Sequence, residues 1–146
     1  MSIRPATAAD LPRIAEIEVF NYRMNFYPIF RRDEFYFGEL TVPALMQSRA
    51  DFIPDILVYD DGVVKGFLHY GGDEVRRLYV EPVLQGRGIG ACLLEFAITQ
   101  KNARMLWALQ KNTRAIAFYE KHGFTKTSVT KPEADTEELL ILLERK

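Results

Sequence analysis

Between residues 74 and 109 a β-rich run, Glu74–Val80, stops at Pro82 and passes through Gln85-Gly86-Arg87-Gly88-Ile89-Gly90. It then enters an apolar helical stretch to about Asn102 and returns as a short β-rich run, Met105–Leu109. Strands joined by crossover helices belong to sheets that carry helices, so this segment decides the fold class. The flanking sequence agrees. Thr7 and Asp10 form a capping pair, and Leu11, Ile14 and Ile17 recur at a spacing of three, which predicts a helix from about Ala8 to Asn21. A second helical region covers about Asp33 to Arg49. Ile56–Tyr59 and Val63–Tyr70 are β-rich runs joined through Asp60-Asp61-Gly62, a hairpin signal, and Gly71-Gly72 marks the next turn. Thr113–His122 has helical spacing with Gly123 as its left-handed C-terminal cap, and Phe124–Thr130 and Glu138–Leu143 read as the last strands. The expected fold is α/β (α+β), a mixed central β-sheet with helices on both faces, in one domain over residues 1–146.

Composition sets the function classes. The chain is 48% apolar and 27% charged, with a net charge of −1, values that carry no basic excess for nucleic acid. The first residues, MSIRPATAADLPRIAEIE, are too polar for a signal peptide, and no apolar run approaches the ~20 residues of a membrane span. A cytoplasmic protein without membrane or nucleic-acid partners is expected. Cys92 is the sole cysteine, so it has no disulfide partner and no companion for a metal site. Its apolar helical surroundings predict a small buried thiol, with a nucleophilic role as the alternative.

A glycine-rich loop opening a helix presents N–H groups that lack intrahelical partners, at the positive end of the helix dipole. An acidic side chain usually complements that end. Here the first one is Glu95, and Arg87 adds positive charge at the mouth. Gly88 and Gly90 remove the Cβ atoms that would hinder a diphosphate, although the same glycines also suit a tight, closely packed turn. A nucleoside-triphosphate P-loop would need Gly-Lys-Ser/Thr, whereas Gly90 precedes Ala91 and Cys92. A dinucleotide fingerprint would need an acidic residue ending the next strand, which instead ends Leu109-Gln110.

The order helix, helix, hairpin, strand, Gln85–Gly90, helix, strand, followed by Asn112 and Ala115-Ile116-Ala117-Phe118-Tyr119-Glu120-Lys121-His122-Gly123-Phe124, resembles the GCN5-related N-acetyltransferase family over almost the whole chain. The resemblance implies an acetyl-CoA-dependent N-acetyltransferase acting on a primary amine, by direct attack in a ternary complex and without a metal. In that family a Q/RxxGxG/A loop holds the cofactor's diphosphate. Gln85, Gly88 and Gly90 fill its defining positions, and the amides of Gly86, Arg87, Gly88, Ile89, Gly90 and Ala91 would receive the anion. The backbone of Leu78, Tyr79 and Val80 would bind pantetheine and turn one N–H to the thioester oxygen. Tyr119 stands where relatives protonate the leaving thiolate, or packs beside Phe118. Asn112 matches a position that contacts coenzyme A in relatives, and equally suits a helix N-cap.

An amine with a pKa of ~10.4 is only about a thousandth neutral at pH 7, so a proton acceptor is useful. Glu74, eleven residues before Gln85, matches a general base of the family's histone-acetylating branch; the alternative is a solvent-facing ion pair with Arg76 or Arg77. His69 is a second acceptor, or a structural histidine. Relatives wall the acceptor site with the first two helices and the loop between the last two strands. Eight of eighteen aromatics fall between Phe20 and Phe37, most for the core and a minority for the pocket, and the acidic Lys131–Glu138 loop faces them. The implied acceptor is a small cationic amine or a peptide N-terminus. A non-catalytic acyl-CoA-binding module is the alternative function. The strand Leu139–Leu143 is apolar on both faces, which suggests pairing across a homodimer.

Overall fold

The computed structural model describes residues 2–146. In chain order its elements are β1 (Ile3–Pro5), α1 (Leu11–Asn25), α2 (Tyr27–Phe30), α3 (Val42–Arg49), β2 (Ile56–Asp60), β3 (Val64–Gly71), β4 (Glu74–Val80), α4 (Ile89–Lys101), β5 (Met105–Leu109), α5 (Thr113–Lys121), β6 (Thr125–Pro132) and β7 (Leu139–Glu144). The seven strands are ordered β1-β2-β3-β4-β5-β7-β6. β4 and β5 are parallel, while β1–β2, β2–β3, β5–β7 and β6–β7 are antiparallel. This is the mixed α/β sheet the crossover segment implied. The chain groups into two compact units, one formed by residues up to His69 with Arg77–Leu94 and one by Tyr70–Arg76 with Glu95–Lys146.

In the first unit α1 is buried on two sides, so its apolar residues are divided between two clusters. Ile14 and Ile17 pack with Ile56, Val58 and Phe67, and Ala15 and Val19 pack with Tyr36, Leu40 and Leu45. The helix is preceded by a 3-10 turn, Ala8–Asp10, in which the Asp10 carboxylate accepts from the Thr7 backbone N–H at 2.8 Å. Arg4 also grips that carboxylate and holds it below the usual range. The three-residue β1 carries too little pattern to be read from sequence. The helical region expected over 33–49 is broken: Phe35–Glu39 is a π-helical turn, Leu40 is extended, and α3 starts afresh under the Thr41 cap. Pro43 explains the restart, because a residue without an N–H fits a first turn and not a helix interior.

In the second unit β7 lies between β5 and β6, so the strand expected to pair across a dimer already has both edges occupied. Of its apolar side chains, Ile141 and Leu143 are buried and Leu139 is exposed. β6 is the edge instead, and it is poorly suited to pairing. Its register jumps between Lys126 and Thr130, Thr127 Oγ1 bonds Leu142 O at 2.9 Å, and the strand ends in Pro132. A bulge, lysines and a proline are the usual protections of an exposed edge.

Candidate acyl-donor site

β4 runs to Val80, a short 3-10 turn covers Pro82–Leu84, and Gln85 is extended. Gly86 and Gly88 then both adopt φ of +83°, a region that L side chains avoid. Gly90 falls inside α4, so the left-handed positions of the loop are Gly86 and Gly88. The first intrahelical bond runs from Cys92 N to Gly88 O at 3.0 Å, which leaves the first-turn amides before it without an intrahelical partner. No acidic residue stands in the first turn of α4, and Arg87 is exposed. A Cβ built on Gly86 or Gly88 would meet nothing within 4 Å. The loop therefore combines open space, unengaged donors and the positive end of a helix, a combination that fits a diphosphate.

Beneath the loop, Ile89 is buried against the sheet. A Cβ on Gly66 of β3 would lie 3.1 Å from Tyr79 O and 3.3 Å from both Ile89 Cγ2 and Leu93 Cδ1, so that glycine lets α4 seat closely. The Gln85 side chain turns inward. Its Nε2 donates to Asn21 Oδ1 at 3.0 Å and to Val80 O at 3.2 Å. β4 pairs with β5 through Glu74–Met105 and Val75–Leu106, both at its beginning. Leu78, Tyr79 and Val80 lie beyond that short ladder, at the end nearer the loop.

The same face of α1 carries a buried ionic group that sequence reasoning missed. Glu18 is fully buried and receives Arg49 Nη2 at 2.6 Å and Nε at 3.0 Å, with Arg77 Nε at 3.4 Å. Burial, followed by the Glu18 charge, pushes the Tyr22 phenol up to about 12. Arg77 Nη1 lies 2.9 Å from His69 Nδ1. Because a guanidinium only donates, Nδ1 accepts and the ring proton sits on Nε2. His69 is 1% exposed, a setting that fits the structural histidine the sequence offered as the alternative. Cys92, expected to be buried, is exposed on α4, because Leu93 and Leu94 occupy the inward positions of that turn.

In the second unit Glu74 lies 3.7 Å from Arg76 Nε and remains partly exposed. Arg77 is engaged elsewhere, so only one of the two expected arginines pairs with it. Asn112 caps α5, its Oδ1 accepting from Ala115 N at 3.3 Å. Tyr119 stacks edge-on against Phe118 and Phe124. Its hydroxyl makes no hydrogen bond among the described residues, and burial pushes the phenol well above its ordinary value. Gly123, at φ +91°, ends the helix as expected. The acidic loop is partly neutralised: Glu138 pairs with Lys111 at 2.8 Å, and Lys131 lies 4.2 Å over the Trp107 ring. Most of the aromatic cluster packs in or against the α1–α3 core, while Phe20 and Phe37 are 40% and 56% exposed.

Comparison with known proteins gives this geometry a context. Residues 54–126 match the family model described as an acetyltransferase (GNAT) domain. Peptidyl-lysine N-acetyltransferase YjaB of Salmonella typhimurium is 33% identical over 82 residues, 53% of this chain and 57% of that protein. An uncharacterized N-acetyltransferase of Methanocaldococcus jannaschii is 38% identical over 63 residues, 40% of this chain and 28% of that protein. The matched part thus spans little more than half, or less, of these curated relatives. Among solved structures, apo YjaB from Escherichia coli superposes with a TM-score of 0.76 at 20% identity, over 98% of this chain and 95% of that one. The PaiA N-acetyltransferase of Thermoplasma acidophilum, solved with coenzyme A, gives 0.68 at 21% identity over 97% of each chain.

Proposed function

The chain belongs to the GNAT acetyltransferase family, and on that premise we propose that residues 1–146 form one acetyl-CoA-dependent N-acetyltransferase domain acting on a primary amine. The observation that carries this reading is the loop of two left-handed glycines at an α4 N-terminus left without acidic side chains. The amides of residues 86–91 would hold the diphosphate, and the backbone of Leu78–Val80 the pantetheine and thioester oxygen. Bound acetyl-CoA would supply the thioester carbonyl to the amine nitrogen, with a C–N bond formed and the C–S bond broken. Glu74, directly or through water, would take one proton from the ammonium before attack to free the nitrogen lone pair, Tyr119 would give its proton to the departing thiolate, and the second proton, lost from nitrogen once the C–N bond has formed, would restore the phenol through water. Asn112 serves first as the α5 cap.

For the acceptor, relatives named peptidyl-lysine N-acetyltransferases support a peptide amine over a free small molecule. The pairing of Glu138 with Lys111 weakens the argument for a strongly cationic ligand drawn by the acidic loop.

Free-thiol release from acetyl-CoA tests the proposal, run against lysine-bearing peptides with free or blocked N-termini, polyamines, aminoglycosides, amino acids and aryl amines. Turnover with the peptides, and with no other class, is expected. Silence across the panel in a protein that binds coenzyme A would favour a non-catalytic acyl-CoA-binding module. For the base, Glu74→Gln is expected to lower kcat/KM about tenfold at neutral pH and to remove the acidic limb of the pH–rate profile. Persistence of that limb would assign the proton to another group.

A further inference from the structure

We propose that Asn21, on α1, is a positioning residue for the coenzyme A site, locking the end of β4 to the first residue of the glycine loop. The inference rests on the reading that this loop holds coenzyme A. Asn21 is 1% exposed. Its Nδ2 donates to Ile17 O at 2.8 Å and to Val80 O at 2.9 Å, and its Oδ1 accepts from Gln85 Nε2 at 3.0 Å. Gln85 Nε2 reaches Val80 O as well, at 3.2 Å. One buried amide therefore closes a small ring through the last residue of the strand and the first of the loop.

An apolar side chain would suit this position better if packing were all it served. The neighbouring inward residues Ile14, Ile17 and Val19 are all buried hydrophobics, and a buried amide is costly unless every polar atom is satisfied. Here both donors and the acceptor are engaged, and two of the partners belong to the segments that the cofactor would touch. Asn21 and Tyr22 follow Glu18 on α1 at helical spacings of three and four. Glu18 holds Arg77, the Tyr22 ring meets Tyr79 edge-on at 5.6 Å, and Asn21 holds Val80. The helix thus holds the second half of β4 at Arg77, Tyr79 and Val80. Gln85 is the point where that hold passes to the loop, so its side chain secures the anion site from beneath while its backbone leads into it. Without the clamp, the amides of residues 86–91 would have to be ordered by the ligand itself, at the expense of affinity.

The test is calorimetric titration of coenzyme A into the full chain as wild type, Asn21→Ala, Asn21→Ser, Gln85→Met, the Asn21→Ala/Gln85→Met double variant and Leu45→Ala. Each ligand-free protein is also melted. Leu45 is a buried residue of α3 packed in the Tyr36–Leu40 cluster, and its truncation controls for lost stability alone. Each clamp variant is expected to raise the Kd about tenfold. The double variant should do no worse than the poorer single, since the two changes break one connection. With acetyl-CoA varied, KM should rise while kcat at saturation changes little. Leu45→Ala should lower Tm and leave the Kd alone. Wild-type affinity in folded Asn21→Ala and Asn21→Ser would overturn the proposal, as would an equal loss in Leu45→Ala. If the Asn21 variants fail to fold, the half-buried Gln85 decides, and unchanged affinity in Gln85→Met overturns it. Failure of the wild type itself to bind coenzyme A would remove the reading of the loop and the clamp with it, a result distinct from wild-type binding that the variants share.

Discussion

Tyr119→Phe is expected to lower kcat by about 100-fold or more while changing the affinity for acetyl-CoA by no more than about twofold. The substitution removes one oxygen and leaves the ring. The ring makes the packing contacts, edge-on to Phe118 and Phe124, so those remain. The hydroxyl makes no hydrogen bond among the described residues, so its removal orphans no protein group. Tm should therefore stay level. Activity and stability would then move apart, which a purely structural tyrosine would not produce. The direction of its pKa sharpens the expectation. Burial raises the phenol above its ordinary value near 10, so the proton is retained throughout the neutral range. The kcat profile of the wild type should accordingly show no alkaline decline from this group below about pH 10. An unchanged kcat in the variant would take the acid role away from Tyr119.

Much of the scaffold was legible because it rests on local signals. Glu74–Val80 and Met105–Leu109 appear with the expected ends, and Gly123 caps its helix as anticipated. Each is set by a run of β-prone residues between breakers or by a position that requires φ above zero. The errors share a different physics. Glu18 looked like an ordinary charged residue of an amphipathic helix, and only the fold brings it Arg49 and Arg77, 31 and 59 residues away in sequence. Nothing near Asn21 in sequence announces Gln85. The Arg77 partner of His69 on β4 was not legible either, and Cys92 read as buried because an apolar helix with two inward leucines leaves its outward positions ambiguous. The strand 139–143 shows the same limit, since apolarity on both faces signals burial without saying whether the neighbour is this chain or a copy of it. For the candidate site, the backbone elements were therefore readable and their supports were not. Type and spacing of residues identify a loop that can bind an anion, whereas the groups that hold such a loop in place are chosen by long-range contact.

Gly88→Val is the variant expected to damage the site most, with coenzyme A affinity reduced by at least about 100-fold. The backbone at residue 88 stands at φ +83°, a conformation that costs a β-branched residue about 1–3 kcal/mol if it is kept. If it is abandoned instead, the amides on either side change direction. Either course penalises the bound state. The new side chain would also project into space where no protein atom lies within 4 Å of its Cβ, so the folded chain has nothing to clash with and the obstruction falls on the ligand. Gly62→Val supplies the comparison, because Gly62 too has a positive φ, +119°, and an open Cβ direction, but in the β2–β3 turn. It should lower Tm through the same kind of strain and leave the affinity intact. Gly88→Ala should fall between wild type and Gly88→Val, since one methyl group brings the strain with less of the bulk. If Gly88→Val bound coenzyme A as the wild type does, the diphosphate would not lie on this loop, since neither the strain nor the volume of a valine could be accommodated beside it.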